Sequence, residues 1–248
     1  MTESVKQAVL KLQKAEFVYV IASLCTRMPY VECDSETYDD QILLYFEEED
    51  AKREAKKLIG KKIPVKLVKM GNPAILPFLV NLFPMGVNCV VINCGAGECV
   101  AAQLSEIVRR PQDTNLPEGK IRVENPELHL TAIYFTQELK RMPEPQDREE
   151  LQELHEEMIS HFQKGKYLIA AKEEDNGIPL LRQTNGDLFH PLFTDVQEFQ
   201  KFCAINKNEK FKPGIIEAKN IVKILAPNAK GVALNPMGVN VQLQMKRK

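Results

Sequence analysis

Apolar positions along this chain recur with two different periods, and the two periods predict different elements. Val5, Val9 and Leu12 fall at i, i+4 and i+7, which places them on one face of an N-terminal helix. Residues 16–21 (EFVYVI) and 166–171 (KYLIAA) are short apolar runs bounded by polar residues, a pattern typical of strands. The chain is therefore predicted to mix helices and strands.

The two predicted strands open two similar stretches of sequence. Pro29 follows Phe17 by 12 positions, and Pro179 follows Tyr167 by 12 positions. Later, 88–93 (NCVVIN) matches 230–235 (KGVALN), and each is followed by a turn that contains glycine. We predict an α/β (mixed α+β) fold made of two tandem copies of a small sheet-and-helix unit. Their predicted bounds are 1–111 and 165–248, with a loop and helical connecting segment over 112–164.

Turn and capping signals divide each copy further. Asn185-Gly186 lies between two apolar runs and predicts a hairpin with a type I′ turn. Thr194 or Asp195 is predicted to cap the helix that follows. In the first copy, the acidic run 47–50 precedes a helical pattern that ends in lysines, so we interpret it as a helix N-terminus rather than a metal site.

The connecting segment contains two helical stripes after the loop 111–120. Asn125-Pro126 predicts a helix start, followed by a stripe that runs from Leu128 to Leu139. A second helix is predicted over 147–164, where four apolar residues share one face: Leu151, Leu154, Met158 and Phe162. We expect both helices to cover the sheets; the alternative is that one stripe faces a partner.

The turn and strand motifs of the second copy follow a distinctive order: a proline-led strand, a glycine turn, a Phe-Thr helix start and a late Asn-Pro-x-Gly turn. The residues that form these motifs are Pro179, Gly186, Phe193, Thr194, Asn235, Pro236 and Gly238. In this order the second copy resembles the SseB family of bacterial proteins. The first copy keeps Pro29, Phe46 and Asn93 but has Glu47 and Cys94 where the pattern has Thr and Pro. The resemblance implies tandem SseB-like repeats and supplies no catalytic residues.

Composition and charge narrow the choice of function class. Of 248 residues, 33 are Lys or Arg and 34 are Asp or Glu, so the net charge of -1 gives no overall attraction to nucleic acid. No run of apolar residues is long enough for a membrane span or a signal peptide, so we expect a cytoplasmic protein. The six cysteines are accordingly expected to be thiols.

Four local features suggest chemistry, and we weigh each against a simpler interpretation. Gly95-x-Gly97 after a strand resembles the start of a dinucleotide-binding unit, but we favour a hairpin because the repeat equates this turn with 235–238. Cys89, Cys94 and Cys99 lack the pairing of a zinc site. Cys94 is the thiol expected to be most exposed, although no base for it can be located from sequence. His190 is expected to be a partly exposed strand residue.

We therefore expect a non-catalytic cytoplasmic interaction or regulatory protein with no cofactor and no metal. It would bind an unknown protein partner through its sheet edges or a groove between the repeats, as a monomer or homodimer. The candidate binding residues are those of the two late turns: Asn93, Cys94, Gly95, Asn235, Pro236 and Gly238. The alternative is a small-molecule binder or enzyme that acts on an amino acid or nucleotide.

Overall fold

The computed structural model describes residues 2–95, 98–110, 121–141 and 149–245. These residues form a mixed α/β structure in two compact units. One unit contains 2–110 and 137–141, and the other contains 121–136 and 149–245. The predicted connecting segment is thus divided between the units. The prediction of a mixed α/β fold class is confirmed.

The first unit opens with a helix whose period the sequence predicts. Its elements in chain order are α1 (Glu3–Lys14), β1 (Phe17–Ser23), β2 (Glu32–Cys33), β3 (Asp40–Tyr45), α2 (Glu48–Gly60), β4 (Val65–Gly71), α3 (Asn72–Leu82), β5 (Cys89–Gly95), β6 (Glu98–Gln103) and α4 (Leu104–Ile107). The side chain of Thr2 caps α1, and Val5, Val9 and Leu12 are buried.

The first sheet has the order β4-β1-β3-β5-β6, and β2 pairs with β3. Only β3 and β5 are parallel; the other pairs are antiparallel. Helix α2 covers one face and buries Ala51, Ala55 and Leu58 in a cluster with Tyr19 and Ile21 of β1. The acidic run of the sequence forms the first turn of α2, as predicted, where carboxylates complement the helix dipole.

The second unit contains the remaining elements, and the first two of them lie within the predicted connecting segment 112–164. They are α5 (Pro126–Arg141, whose last five residues belong to the first unit), α6 (Glu149–Lys164), β7 (Lys166–Lys172), β8 (Leu181–Arg182), β9 (Leu188–Phe193), α7 (Val196–Ile205), β10 (Phe211–Glu217), α8 (Ile221–Ile224), β11 (Ala229–Leu234) and β12 (Val241–Gln244).

The second sheet has the order β10-β7-β9-β11-β12, and β8 pairs with β9. Here too a single pair, β9 and β11, is parallel. Position for position, this is the strand order of the first sheet. Helix α7 packs on one face, where Phe193, Phe199 and Phe202 form an aromatic cluster.

The hairpin predicted at Asn185-Gly186 is present, but its turn differs from the predicted type. Gly186 has a φ of 87°, whereas Asn185 does not have a positive φ, as a type I′ turn would require. The N–H of Gly186 donates to the carbonyl of Gln183 (2.9 Å), and the N–H of Gln183 donates to that of Asp187 (2.8 Å). This is a type I turn followed by a glycine bulge. The loop therefore has three residues, 184–186, and only Gly186 adopts a positive φ.

Both connecting helices bury their apolar stripes to a large extent. In α5, Leu128, Ala132 and Ile133 are fully buried. In α6, Met158 and Phe162 are buried, and Leu151 and Leu154 are half-buried. The stripe of α6 therefore does not form an exposed apolar face.

Candidate functional site

Two motif residues of the second unit meet where the parallel strands β9 and β11 end. Thr194 follows β9 and Asn235 follows β11, and both are fully buried. The Asn235 Oδ1 accepts a hydrogen bond from the backbone N–H of Thr194 (3.0 Å), and its Nδ2 donates to Thr194 Oγ1 (2.8 Å). The N–H of Asn235 also donates to the carbonyl of Leu192 (2.8 Å). One asparagine side chain thus joins the ends of two strands.

His129 and Asp195 extend this group into a buried polar cluster, which we define as His129, Thr194, Asp195 and Asn235. The Nδ1 of His129, on α5, lies 3.1 Å from Asp195 Oδ2 and 3.2 Å from Thr194 Oγ1. Thr194 Oγ1 also donates to Asp195 Oδ2 (2.6 Å). The other carboxylate oxygen, Asp195 Oδ1, accepts the N–H of Glu198 (3.0 Å) and so caps α7, as predicted.

The electrostatics of Asp195 favour its ionised form. Burial raises the pKa of Asp195. The hydrogen bond and the charge of His129 lower it, as do the hydrogen bonds from Thr194 and the Glu198 N–H, and together these outweigh the effect of burial. The net pKa lies below the ordinary value of an aspartate. Asp195 therefore acts as a hydrogen-bond acceptor at the start of α7.

Threonine, histidine and aspartate are also the residue types of a nucleophile–base–acid triad, but the geometry here differs. In such a triad, the base contacts the nucleophile with one ring nitrogen and the acid with the other. In this cluster, both Thr194 and Asp195 approach the same nitrogen, Nδ1 of His129. Each of the three side chains is at most 1% exposed, so no substrate can reach them. The cluster serves the fold rather than a reaction.

The predicted turn of the second copy lies directly beside this cluster. The N–H groups of Gly238 and Asn240 both donate to the carbonyl of Asn235 (2.8 and 3.0 Å), which closes the turn between β11 and β12. Pro236 is half-buried and Gly238 is buried. The Asn235 side chain is turned inward, so only the rim of this turn reaches the surface.

The predicted turn of the first copy is described in part. Asn93 and Gly95 belong to β5 and pair with Cys99 and Glu98 of the antiparallel strand β6. Asn93 is 9% exposed, and its Nδ2 lies 3.6 Å from Cys99 Sγ. The side chain of Cys94 lies outside the described residues. The two turns belong to different units, and their role in binding remains a prediction.

The course of β5 contradicts the dinucleotide-binding alternative. That motif requires a helix directly after the strand, so that backbone N–H groups at its start can hold a pyrophosphate. Here β5 pairs antiparallel with β6, and the short helix α4 begins only after β6. The hairpin that we favoured over this alternative is present.

The five cysteines whose side chains the structure describes are free thiols: Cys25, Cys33, Cys89, Cys99 and Cys203. Burial raises the pKa of four of them, Cys25, Cys33, Cys89 and Cys203. Burial raises the pKa of Cys89 to about 11, which disfavours the nucleophilic thiolate. Within 2–95, 98–110, 121–141 and 149–245, no three His, Cys, Asp or Glu side chains are grouped as metal ligands.

His190 corrects our expectation of a partly exposed residue. It is 3% exposed, and its two ring nitrogens have fixed partners. Nδ1 donates to the carbonyl of Pro179 (2.8 Å), and Nε2 accepts the N–H of Ala226 (3.0 Å). Burial lowers the pKa of His190, so the neutral imidazole links β9 to two loops. The sequence could not predict this role, because both partners of His190 are backbone groups, 11 and 36 residues away along the chain.

The structure also contains an open cavity of about 350 Å³ within the second unit, which the sequence did not indicate. It lies where α5 begins, next to the end of α6 and the start of β7. Asn125, Lys164 and Lys166 are among its lining residues, with Glu124 and Glu127. Polar and charged groups therefore converge on this cavity from separate elements.

Comparison with known proteins gives only distant similarity. No family model matches the chain, and no curated protein matches it. Among solved structures, the chain is similar to Tic22 from Plasmodium falciparum, with 14% identity over 91% of this chain and 89% of that chain and a TM-score of 0.23. It is also similar to Anabaena Tic22, described as a protein-transport protein, with 10% identity over 94% and 93% and a TM-score of 0.23. Similarity at this level carries no argument about function.

A helix that crosses a lipid bilayer needs about 20 mostly apolar residues. Among the residues that the structure describes, no helix is both long enough and apolar enough to cross a membrane.

Proposed function

We propose that this chain is a non-catalytic cytoplasmic binding protein, made of two SseB-like modules, that recognises a partner protein through a sheet edge. The shared strand order of the two sheets supports the duplication. The polar residues of the second module's motifs support a non-catalytic role, because they are buried and hydrogen-bonded to one another. Binding is then left to surfaces such as the sheet edges.

The outer edge of β4 is the observation that carries this proposal. Strand β4 pairs with β1 along all seven of its residues, from Val65 to Gly71, and it ends the described path of the first sheet. An edge strand presents backbone N–H and C=O groups to which an extended segment of another protein can add as a further strand. Strand β4 contains no proline that would interrupt such pairing.

The corresponding edge of the second sheet is less suited to strand addition. Strand β10 occupies the same position but contains Pro213, which has no N–H to donate, followed by Gly214. On β4, Lys66 and Lys69 are exposed. Pairing with a second copy would bring these like charges together, so this edge disfavours self-association and favours a partner strand that carries acidic residues.

The proposal is tested by substituting proline on β4 in the full chain. Neighbouring residues of an antiparallel edge strand donate alternately to the paired strand and outward, so Leu67→Pro and Val68→Pro remove one N–H of each kind. The variant that removes the outward N–H is expected to keep its fold by circular dichroism. The wild-type chain, carrying a tag, is recovered from its own cytosol together with any partner protein present in near-equal amount. The folded variant should no longer retain that partner.

Pro213→Ala, which restores an N–H on β10, is the matched control and should leave this recovery unchanged. Retention of the partner by the proline variant that keeps its fold and lacks the outward N–H would contradict edge binding. Recovery of the wild-type chain without any stoichiometric partner would contradict the proposal as a whole.

A further inference from the structure

The hydrogen bonds at the two ends of β4 show which of its backbone groups face outward. The N–H of Leu24 donates to the carbonyl of Pro64 (2.9 Å), and the N–H of Asn72 donates to the carbonyl of Glu16 (2.8 Å). Both bonds continue the register in which β1 pairs with β4. Hydrogen-bonded and non-hydrogen-bonded pairs alternate in an antiparallel ladder, so the even-numbered residues of β4 bond inward to β1.

The outward N–H and C=O groups of β4 therefore belong to its odd-numbered residues. In the middle of the strand these residues are Leu67 and Lys69, and no described strand pairs with them from the outer side. Strand β1 shows the complementary pattern, because the N–H of Ser23 donates to the carbonyl of Met28 (2.9 Å), on the side away from β4. An added strand would thus form its hydrogen bonds with Leu67 and Lys69.

Each face of the sheet carries one lysine and one half-buried apolar residue at the centre of β4. Side chains of a strand alternate between the two faces. Leu67 and Lys69 share the face that α2 covers, where Leu67 packs against the apolar cluster. Lys66 and Val68 share the opposite face. The order along the edge is therefore basic, apolar, apolar, basic.

The two lysines give this edge a positive charge. Lys66 is exposed and forms no ion pair within 4.0 Å among the residues that the structure describes. The Nζ of Lys69 lies 3.6 Å from the centroid of the Phe17 ring, which holds the ammonium group without neutralising its charge. Glu48 of α2 also lies near Lys69, but its carboxylate pairs with Lys52 Nζ (2.9 Å). A partner that neutralises both lysines must therefore bring its own carboxylates.

We propose that the partner adds to β4 an extended segment in which two acidic residues are separated by two apolar residues. The acidic residues lie opposite Lys66 and Lys69, because opposite charges across a strand pair stabilise the pairing. The apolar residues lie opposite Leu67 and Val68 and extend the apolar surface on both faces of the sheet. The pattern is the same for a parallel and an antiparallel segment. This inference rests on the proposed function, since it specifies the chemistry of the segment that binds the same edge.

Three synthetic peptides of equal length test this pattern on the full chain. Their central residues are Glu-Val-Ile-Glu, Gln-Val-Ile-Gln and Lys-Val-Ile-Lys, and each is flanked by two threonines on both sides. In heteronuclear NMR titrations at low ionic strength, the Glu peptide should shift the backbone amide signals of Leu67 and Lys69. It should bind about five- to tenfold more tightly than the Gln peptide, because it forms two cross-strand charge pairs. The Lys peptide should bind most weakly.

A charge exchange tests whether Lys66 contacts one of the two acidic residues. Lys66→Glu should weaken binding of the Glu peptide about five- to tenfold. A peptide with Lys in place of one Glu should restore binding to this variant, at the second Glu for antiparallel addition and at the first for parallel addition. Lys56→Glu is the matched control, because Lys56 is an exposed residue of α2 rather than of the edge, and it should leave binding unchanged.

Leu67→Pro, which removes an outward N–H, separates the acidic pattern from edge binding itself. Equal binding of the three peptides that is lost in folded Leu67→Pro would overturn the acidic pattern and leave edge binding in place. Binding that persists in folded Leu67→Pro would overturn both. The acidic pattern would also be overturned if no peptide shifted the amide signals of β4, if neither exchanged peptide restored binding to Lys66→Glu, or if Lys56→Glu weakened binding as much as Lys66→Glu.

Discussion

Asn235 shows how a single side chain can determine the geometry of two strand ends. It has a φ of 45°, a left-handed conformation that asparagine tolerates better than most residues. This conformation accompanies the turn at the end of β11, and the inward side chain binds both the N–H and the hydroxyl of Thr194. Turn formation and the joining of the two strand ends therefore account for the Asn-Pro-x-Gly pattern.

The link between Asn235 and Thr194 predicts a non-additive loss of stability. Asn235→Ala and Thr194→Val should each lower the free energy of unfolding by about 1–3 kcal/mol, because each leaves a buried polar partner unsatisfied. The double variant should lose less than the sum, by about 0.5 kcal/mol or more. Urea denaturation of the four proteins measures this coupling.

Asn208→Ala is the matched control for the asparagine, since Asn208 is exposed, and it should change stability by less than about 0.5 kcal/mol. Strictly additive losses from the two cluster variants would show that the side chains do not act as a unit.

At this scale the sequence indicated some residues of the cluster but not the cluster itself. Thr194 and Asp195 were predicted as alternative helix caps, and Asp195 does cap α7. Asn235 was singled out by its turn. Its bond to Thr194, however, spans 41 residues, and the contact between His129 and Thr194 spans 65. Spacing along the chain carries no signal for such contacts, so the cluster appears only in three dimensions.

The elements that the sequence predicts correctly are those in which apolar residues repeat with a clear period. Helices α1, α2 and α7 begin close to their predicted positions because polar or acidic residues precede regular apolar stripes. The hairpin at Gly186 was located correctly, yet its turn type was wrong because loop length selects the turn. Strand order was not predicted, since it depends on pairings between distant segments.

Two glycines at different places in their elements should respond in opposite ways to alanine. Gly186 has a φ of 87°, so Gly186→Ala should lower the free energy of unfolding by about 1–2 kcal/mol. Gly60 ends α2, and nothing lies within 4 Å of a methyl group added there. Gly60→Ala should raise stability by up to about 1 kcal/mol because alanine is the better helix former.

Thermal or urea denaturation of the two glycine variants should show a loss of stability for Gly186→Ala and a gain for Gly60→Ala. Each variant serves as the control for the other. A neutral effect at Gly186 would mean that the hairpin can adopt a different turn without loss.

For the molecule as a whole, each unit contains a core cluster made only of its own residues. In the first, Leu58 of α2 packs with residues of β1 and β3; in the second, Phe202 of α7 packs with residues of β7 and β9. Both side chains are almost fully buried, at 3% and 1% exposure. Because each sheet has its own helix and its own cluster, we expect each unit to respond mainly to damage in its own core.

Truncating a core side chain of one unit should therefore reduce the protection of backbone amides against hydrogen exchange in the sheet of that unit. Phe202→Ala should cost about 3–5 kcal/mol through lost burial and the resulting cavity. In amide hydrogen exchange followed by mass spectrometry, β7 and β9 should exchange faster in this variant, while β1 and β3 keep most of their protection. Leu58→Ala, as the counterpart in the first unit, should produce the reverse pattern. Equal acceleration in both sheets for either variant would show that the two units unfold as one cooperative structure, because damage to one core would then open both.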